Sequence, residues 1–259
     1  MPLIMTDVQN GLQRKKVPDL SGHFWVIKIL STAMGEALSD FLVHTINPVI
    51  AVGIGTIGLL VALIIQFSSK TYQPWKYWLT VSMVAIFGTM AADVLHIGLG
   101  IPYIASTLFF GLALAAIFVV WYKKEKTLSI HSIYTIRREI FYWLTVMATF
   151  ALGTATGDMT AYTLGLGYLS SGILFSILIA IPVVLYFVFK LNEVVMFWVA
   201  YILTRPLGAS FADWFGVPRE LGGLDFGRGW VSLVLICAII GMVLYISLLK
   251  KDSKQGHHN

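Results

Sequence analysis

FWVIKILSTAMGEALSD occupies residues 24–40, and its pattern returns as YWLTVSMVAIFGTMAAD at 77–93, YWLTVMATFALGTATGD at 142–158 and FWVAYILTRPLGASFAD at 197–213. In each copy a tryptophan (Trp25, Trp78, Trp143, Trp198) follows another aromatic residue (Phe24, Tyr77, Tyr142, Phe197). A glycine comes ten residues after the tryptophan (Gly35, Gly88, Gly153, Gly208), and an aspartate five after that (Asp40, Asp93, Asp158, Asp213). The residue before each aspartate is small: Ser39, Ala92, Gly157 and Ala212. Four identical spacings in one chain establish an internal repeat.

The sequence around these segments is that of a polytopic membrane protein. Apolar residues make up 58% of the 259 positions and charged residues 12%, with mean hydropathy +0.81. So few charges cannot cover a soluble surface, which excludes an ordinary soluble enzyme and a disordered chain. Eight apolar runs are long enough to span a bilayer, at about 23–45, 49–68, 77–97, 103–122, 140–161, 168–190, 194–213 and 230–249. The expected fold is therefore all-α, with four parallel two-helix repeats (approximately 23–68, 76–122, 140–190 and 194–249) arranged with pseudo-four-fold or two-plus-two symmetry. The membrane domain covers 23–250, flanked by tails at 1–22 and 251–259. The first tail lacks the apolar core and cleavage site of a signal peptide.

Basic residues set the expected orientation. Fourteen of the 18 fall on one side, in the two tails and the second, fourth and sixth loops, while the first, third and fifth loops have none. Both termini are thereby expected in the cytoplasm. The net charge of +5 is spread through these short clusters and does not suggest nucleic acid. The single cysteine, Cys237, excludes an intrachain disulfide.

In this frame each tryptophan is expected at the cytoplasmic interface as an anchor. Each aspartate follows about 22 Å further along its helix, so the four lie at one depth in the outer half of the membrane. The glycines are expected to allow close helix contact. Each copy adds one motif helix and one plainer partner. The stretch KVPDLSGHFWVIKILSTAMGEALSDFLVHTINPVIAVGI (16–54) resembles the bacterial membrane proteins built from four tandem copies of a repeat of unknown function, domain of unknown function 347. The resemblance covers about residues 20–250 and implies this fold and a bacterial inner-membrane location. It implies no chemistry.

Function has to be read from the polar residues inside the spans. Charge is expensive there, so ionisable groups face a cavity or a partner. Asp40, Asp93, Asp158, Asp213 and Glu36 are set against Arg205 as the deeply placed cation, with Lys28 expected to snorkel to the interface. At least one acid should therefore titrate near neutrality or hold a cation. The alternative is that each aspartate caps a helix locally. Glu36 takes the position of Thr89, Thr154 and Ala209, and Arg205 that of Thr32, Ala85 and Phe150. In a closed ring the first and last copies adjoin, which makes a Glu36–Arg205 ion pair an expectation.

Glu36, Asp40 and His44 share a helix face, as do Asp93 and His96. Carboxylate and imidazole together suit a borderline divalent metal, making Glu36, Asp40, His44, Asp93 and His96 a candidate ligand set, against structural or interfacial histidines. Copies three and four offer Thr154, Thr160 and Tyr162 instead. Phosphate-loop and HExxH motifs are absent, as is a lysine in mid-span eight for a retinal. Gly98-Leu99-Gly100 and Gly165-Leu166-Gly167 read as turns. The leading expectation is proton-coupled transport of a small cation with the divalent metal as substrate, no catalytic residues and no certain resident cofactor. Its partners are the lipid bilayer and the cation, with no nucleic acid; a homo-oligomer is compatible. The alternatives are a redox protein holding haem or quinone through His44 and His96, and a non-catalytic membrane scaffold.

Overall fold

The computed structural model describes residues 15–255. The outer parts of the expected tails, with Arg14, His257 and His258, lie outside the described residues. Eight long helices follow one another: α1 (Gly22–Thr45), α2 (Pro48–Phe67), α3 (Pro74–Asp93), α4 (Tyr103–Glu125), α5 (Ile136–Asp158), α6 (Gly167–Phe187), α7 (Glu193–Gly216) and α8 (Arg228–Gln255). Among the described residues there is no strand.

Local chemistry starts the helices. Ser21 Oγ accepts from Phe24 N, Asn47 Oδ1 from Val49 N, Thr135 Oγ1 from Arg138 N, and Asn192 Oδ1 from Val194 N and Val195 N. Pro48 and Pro74 open α2 and α3, where a missing N–H leaves no bond unmade.

Seven of the eight helices are long and apolar enough to cross a membrane; the exception is α1, which carries Lys28, Glu36 and Asp40. Lys28 and Glu36 are buried within the protein and Asp40 is half-buried. α1, α3, α5 and α7 form a closed circuit of contacts, α1 on α3, α3 on α5, α5 on α7 and α7 back on α1. The other four helices pack outside, each mainly on the motif helix of the next copy: α2 on α3, α4 on α5, α6 on α7, and α8 on α1. Their outward faces are bare and apolar, as at Ile54, Ile57, Phe109, Leu112, Ile177 and Val234, which suits lipid as the surrounding solvent.

The repeated residues form the seams of this circuit. Each aromatic residue that precedes a motif tryptophan stacks on the tryptophan of the next copy: Phe24–Trp78 at 5.7 Å, Tyr77–Trp143 at 5.6 Å, Tyr142–Trp198 at 6.2 Å and Phe197–Trp25 at 5.8 Å between centroids. These separations are within the favoured range for aromatic pairs. The anchor reading is corrected here: Trp78, Trp143 and Trp198 are buried and Trp25 is half-buried. Period alone could not tell a lipid-facing ring from one facing the next repeat.

The glycines repeat the same step. A Cβ on Gly35 would run into Ala85, on Gly88 into Phe150, on Gly153 into Arg205, and on Gly208 into Thr32. Each glycine thus receives the residue seven past the tryptophan in the next copy, and the fourth receives the first. This is close backbone packing by small residues, as the spacing suggested.

The expected tails are partly structural. Lys16 N donates to Ile133 O, Tyr72 N donates to Lys15 O, and Lys16 Nζ pairs with the buried Glu139 at 2.6 Å. Gln66 Nε2 donates to the other Glu139 oxygen at 2.9 Å. The C-terminal tail expected from residue 251 begins as helix, because α8 runs to Gln255.

Candidate functional site

Residues four apart along α1, α3, α5 and α7 share a helix face with a slow drift, so the ring interior is built in levels. At the tryptophan end stand Phe24, Tyr77, Tyr142 and Phe197, with Tyr77 and Tyr142 joined hydroxyl to hydroxyl at 2.5 Å. Four residues on are Lys28, Val81, Val146 and Tyr201, then Thr32, Ala85, Phe150 and Arg205, then Glu36, Thr89, Thr154 and Ala209. Every one of these side chains is buried. The last level is Asp40, Asp93, Asp158 and Asp213, of which the first three are only half-buried. Burial is therefore complete through four levels and only partial at three of the four aspartates.

Arg205 links the two levels that precede the aspartates. Its guanidinium, fully buried, donates through Nη2 to Glu36 Oε2 at 2.6 Å, to Thr154 Oγ1 at 2.7 Å and to Thr89 Oγ1, and through Nη1 to the Thr32 carbonyl at 2.8 Å. Glu36, Thr89 and Thr154 occupy one motif position in three copies, so one arginine from the fourth reaches all three. The copy that supplies Arg205 has Ala209 at that position, which leaves the arginine room. Thr89 Oγ1 also donates to Glu36 Oε2 at 3.3 Å. The expected Glu36–Arg205 pair is thus present, inside a larger hub.

Lys28 departs from expectation. Instead of snorkelling it is buried, with Nζ 4.3 Å from the ring centroids of both Phe150 and Tyr201 and without a hydrogen bond. The side chain leaves α1 on the inward face, so its four-carbon stem cannot carry the ammonium back to an interface. Arg205 is consequently not the only deep cation.

At the aspartate end the carboxylate oxygens of Glu36, Asp40 and Asp213 come within 4.8 Å of one another. Glu36 thus faces both ways, toward Arg205 and toward this acidic group. Asp40 Oδ2 is also 2.9 Å from Arg228 Nε, which enters from the start of α8. Asp93 and Asp158 stand at the two places where the α-helix passes into a single π-helical turn, Val94–Gly98 and Met159–Thr163. Such turns are frequent at functional sites. The chain then turns through Gly100, Gly165 and Gly167 at positive φ, the turns expected from sequence.

The predicted metal set is not assembled. His44 is exposed, its Nδ1 donating to the Asp40 carbonyl at 2.7 Å in the last turn of α1. His96 is buried against Tyr103, with ring centroids 4.4 Å apart, and Nδ1 is hydrogen-bonded to Ser106 at 3.2 Å. Neither histidine nor Asp93 joins Glu36 and Asp40; Asp213, from the neighbouring α7, does. Shared face within one helix was the wrong guide, because the third carboxylate of the group comes across the ring seam. Of Thr154, Thr160 and Tyr162, only Thr154 belongs to the hub; Thr160 bonds the Gly157 carbonyl and Tyr162 the Tyr168 hydroxyl. The inward placement of Lys28, the pairing of Arg228 with Asp40 and the joining of Thr89 and Thr154 to Arg205 were not expected from the sequence. The threonines were legible as the repeat position that Glu36 replaces; Arg228 was not, since its pairing depends on how the last loop folds back.

A family model for a repeat of unknown function, DUF347, matches four times in tandem, at residues 23–72, 76–127, 141–192 and 196–252. The chain belongs to the DUF347 repeat family. Each DUF347 match begins within two residues of a motif tryptophan and takes in all or nearly all of the following outer helix. One DUF347 repeat is thus a sequence unit, whereas its two helices pack mainly on different neighbours. Neither a curated protein nor a solved structure matches the chain.

Proposed function

We propose that this protein moves a small cation across the bacterial inner membrane, with protons coupled through the repeat aspartates. In this reading α1 to α8 are eight spans arranged as four parallel repeats about a pseudo-four-fold axis. Both termini are cytoplasmic, and the aspartate level faces the periplasm. The observation that carries the reading is the double engagement of Glu36, held by Arg205 on one side and grouped with Asp40 and Asp213 on the other. A cation entering between the three carboxylates competes with Arg205 for Glu36. Binding at the mouth is thereby linked to the hub that closes the interior. Three carboxylates without a histidine favour a hard divalent ion such as Mg²⁺ or Mn²⁺ as substrate over the borderline metals that imidazole would suit. Asp93 and Asp158, outside that group, are the candidates for proton exchange.

The test is flux in liposomes with an internal metal-sensitive dye and an imposed pH gradient. Asp40→Asn and Asp213→Asn should keep the fold and lose at least about ten-fold in Mn²⁺ flux, about 1.4 kcal/mol of lost binding or barrier stabilisation. Asp93→Asn and Asp158→Asn should shift the pH dependence instead. If all four variants transport normally, the cation reading is wrong.

A further inference from the structure

The hub and the acidic mouth leave Lys28 unused. Its ammonium is wholly enclosed, donates to no hydrogen-bond acceptor and lies against two aromatic rings, Phe150 from α5 and Tyr201 from α7. Phe150 and Tyr201 come from two different helices, and α5 does not adjoin α1 in the contact circuit, so the side chain crosses the ring interior. Phe150 is also shared: the Arg205 guanidinium carbon lies 5.3 Å from its centroid. Two cations thus share one aromatic ring, and among the described residues Glu36 is the only carboxylate bonded to either. An ammonium without an acceptor in such a place is costly, and ionisable groups kept inside a membrane domain usually serve function. Two aromatic faces are what recognise an ammonium without hydrogen bonds.

We propose that Phe150 and Tyr201 form an inner site for monoammonium ions, and that Lys28 is its tethered occupant, a charged plug that bars cations from the inner half of the ring. The plug function rests on the transport reading above; the aromatic site does not. Phe150 fits this role in a second way. It fills the motif position that is Arg205 in the fourth copy, and its Cβ packs against Gly88, which holds its attachment point in the seam.

The experiment has two arms, on Lys28→Ala and Lys28→Met, each checked for folding by size-exclusion profile. Lys28→Ala removes three methylenes and the ammonium, the outline of n-propylammonium. In detergent, n-propylammonium should raise the melting temperature of Lys28→Ala by several degrees more than it raises wild type, and n-propanol should not. Equal shifts with n-propanol, or none with either, overturn the aromatic ammonium site. In liposomes, Lys28→Ala and Lys28→Met should each leak Na⁺ at least ten-fold faster than wild type, and n-propylammonium should close Lys28→Ala. Lys28→Met keeps the bulk without the charge, so a tight Lys28→Met beside a leaking Lys28→Ala overturns the charged plug. A stabilising response to n-propylammonium in a protein whose wild type moves no divalent ion would uphold the site and sink the transport reading alone.

Discussion

Neutralising Glu36 should destabilise the protein strongly, because it strands the buried Arg205 charge. Arg205 is fully buried, and among the described residues Glu36 is the one anion it bonds. Breaking a buried ion pair by removing one partner costs about 3–5 kcal/mol, because the other charge is stranded. Glu36→Gln leaves the guanidinium with three neutral acceptors, the Thr32 carbonyl and the Thr89 and Thr154 hydroxyls, so the cost should lie near the low end, about 3 kcal/mol. Arg205→Met leaves the Glu36 carboxylate with only the Thr89 hydroxyl as donor and should approach the upper end, about 5 kcal/mol. The double variant strands no charge. Its loss should fall short of the two single losses together by about 3 kcal/mol, at the top of the range for residues in one network. At roughly 2–4 °C per kcal/mol for a chain of this size, Glu36→Gln alone should lower the melting temperature by about 6–12 °C. The assay is a double-mutant cycle on purified protein in one detergent, read by tryptophan fluorescence against denaturant and checked by thermal melts. Losses that add to within about 0.5 kcal/mol would show the two residues energetically independent and refute the hub as the device that closes the ring.

Glycine seats and membrane orientation give two further expectations. Gly88→Ala places its Cβ 2.7 Å from the Phe150 Cβ and should destabilise by about 1–3 kcal/mol, whereas Gly53→Ala meets nothing within 4 Å and should be neutral or gain up to about 1 kcal/mol from helix propensity; equal effects in a thermal melt would contradict the seam. Reporter fusions after residues 72, 130 and 192 should read cytoplasmic and fusions near 47, 100, 165 and 222 periplasmic, following the basic residues. A periplasmic reading at 130, inside the most basic loop, would overturn the orientation.

The sequence by itself determined the repeat, and through it the helical, membrane-embedded class. Tryptophan, glycine and aspartate recur at fixed spacing, and spacing along a helix needs no tertiary information to fix which residues are equivalent and at what depth they lie. It also marked Glu36 and Arg205, because a residue that breaks a four-fold pattern is visible as a departure. Only the tertiary structure decided what each equivalent residue touches. Every seam joins a residue to a different position in the next copy, tryptophan to the preceding aromatic and glycine to the residue seven past the tryptophan, so repeat alignment alone does not reveal it. For the same reason His44 and His96, which share helix faces with Asp40 and Asp93, turned away from the acidic group, and Asp213 entered it across the α1–α7 contact. Lys28 shows the limit most directly. Three residues past a tryptophan it read as snorkelling to an interface; the rotation of α1 in the ring turned the same side chain inward, between Phe150 and Tyr201.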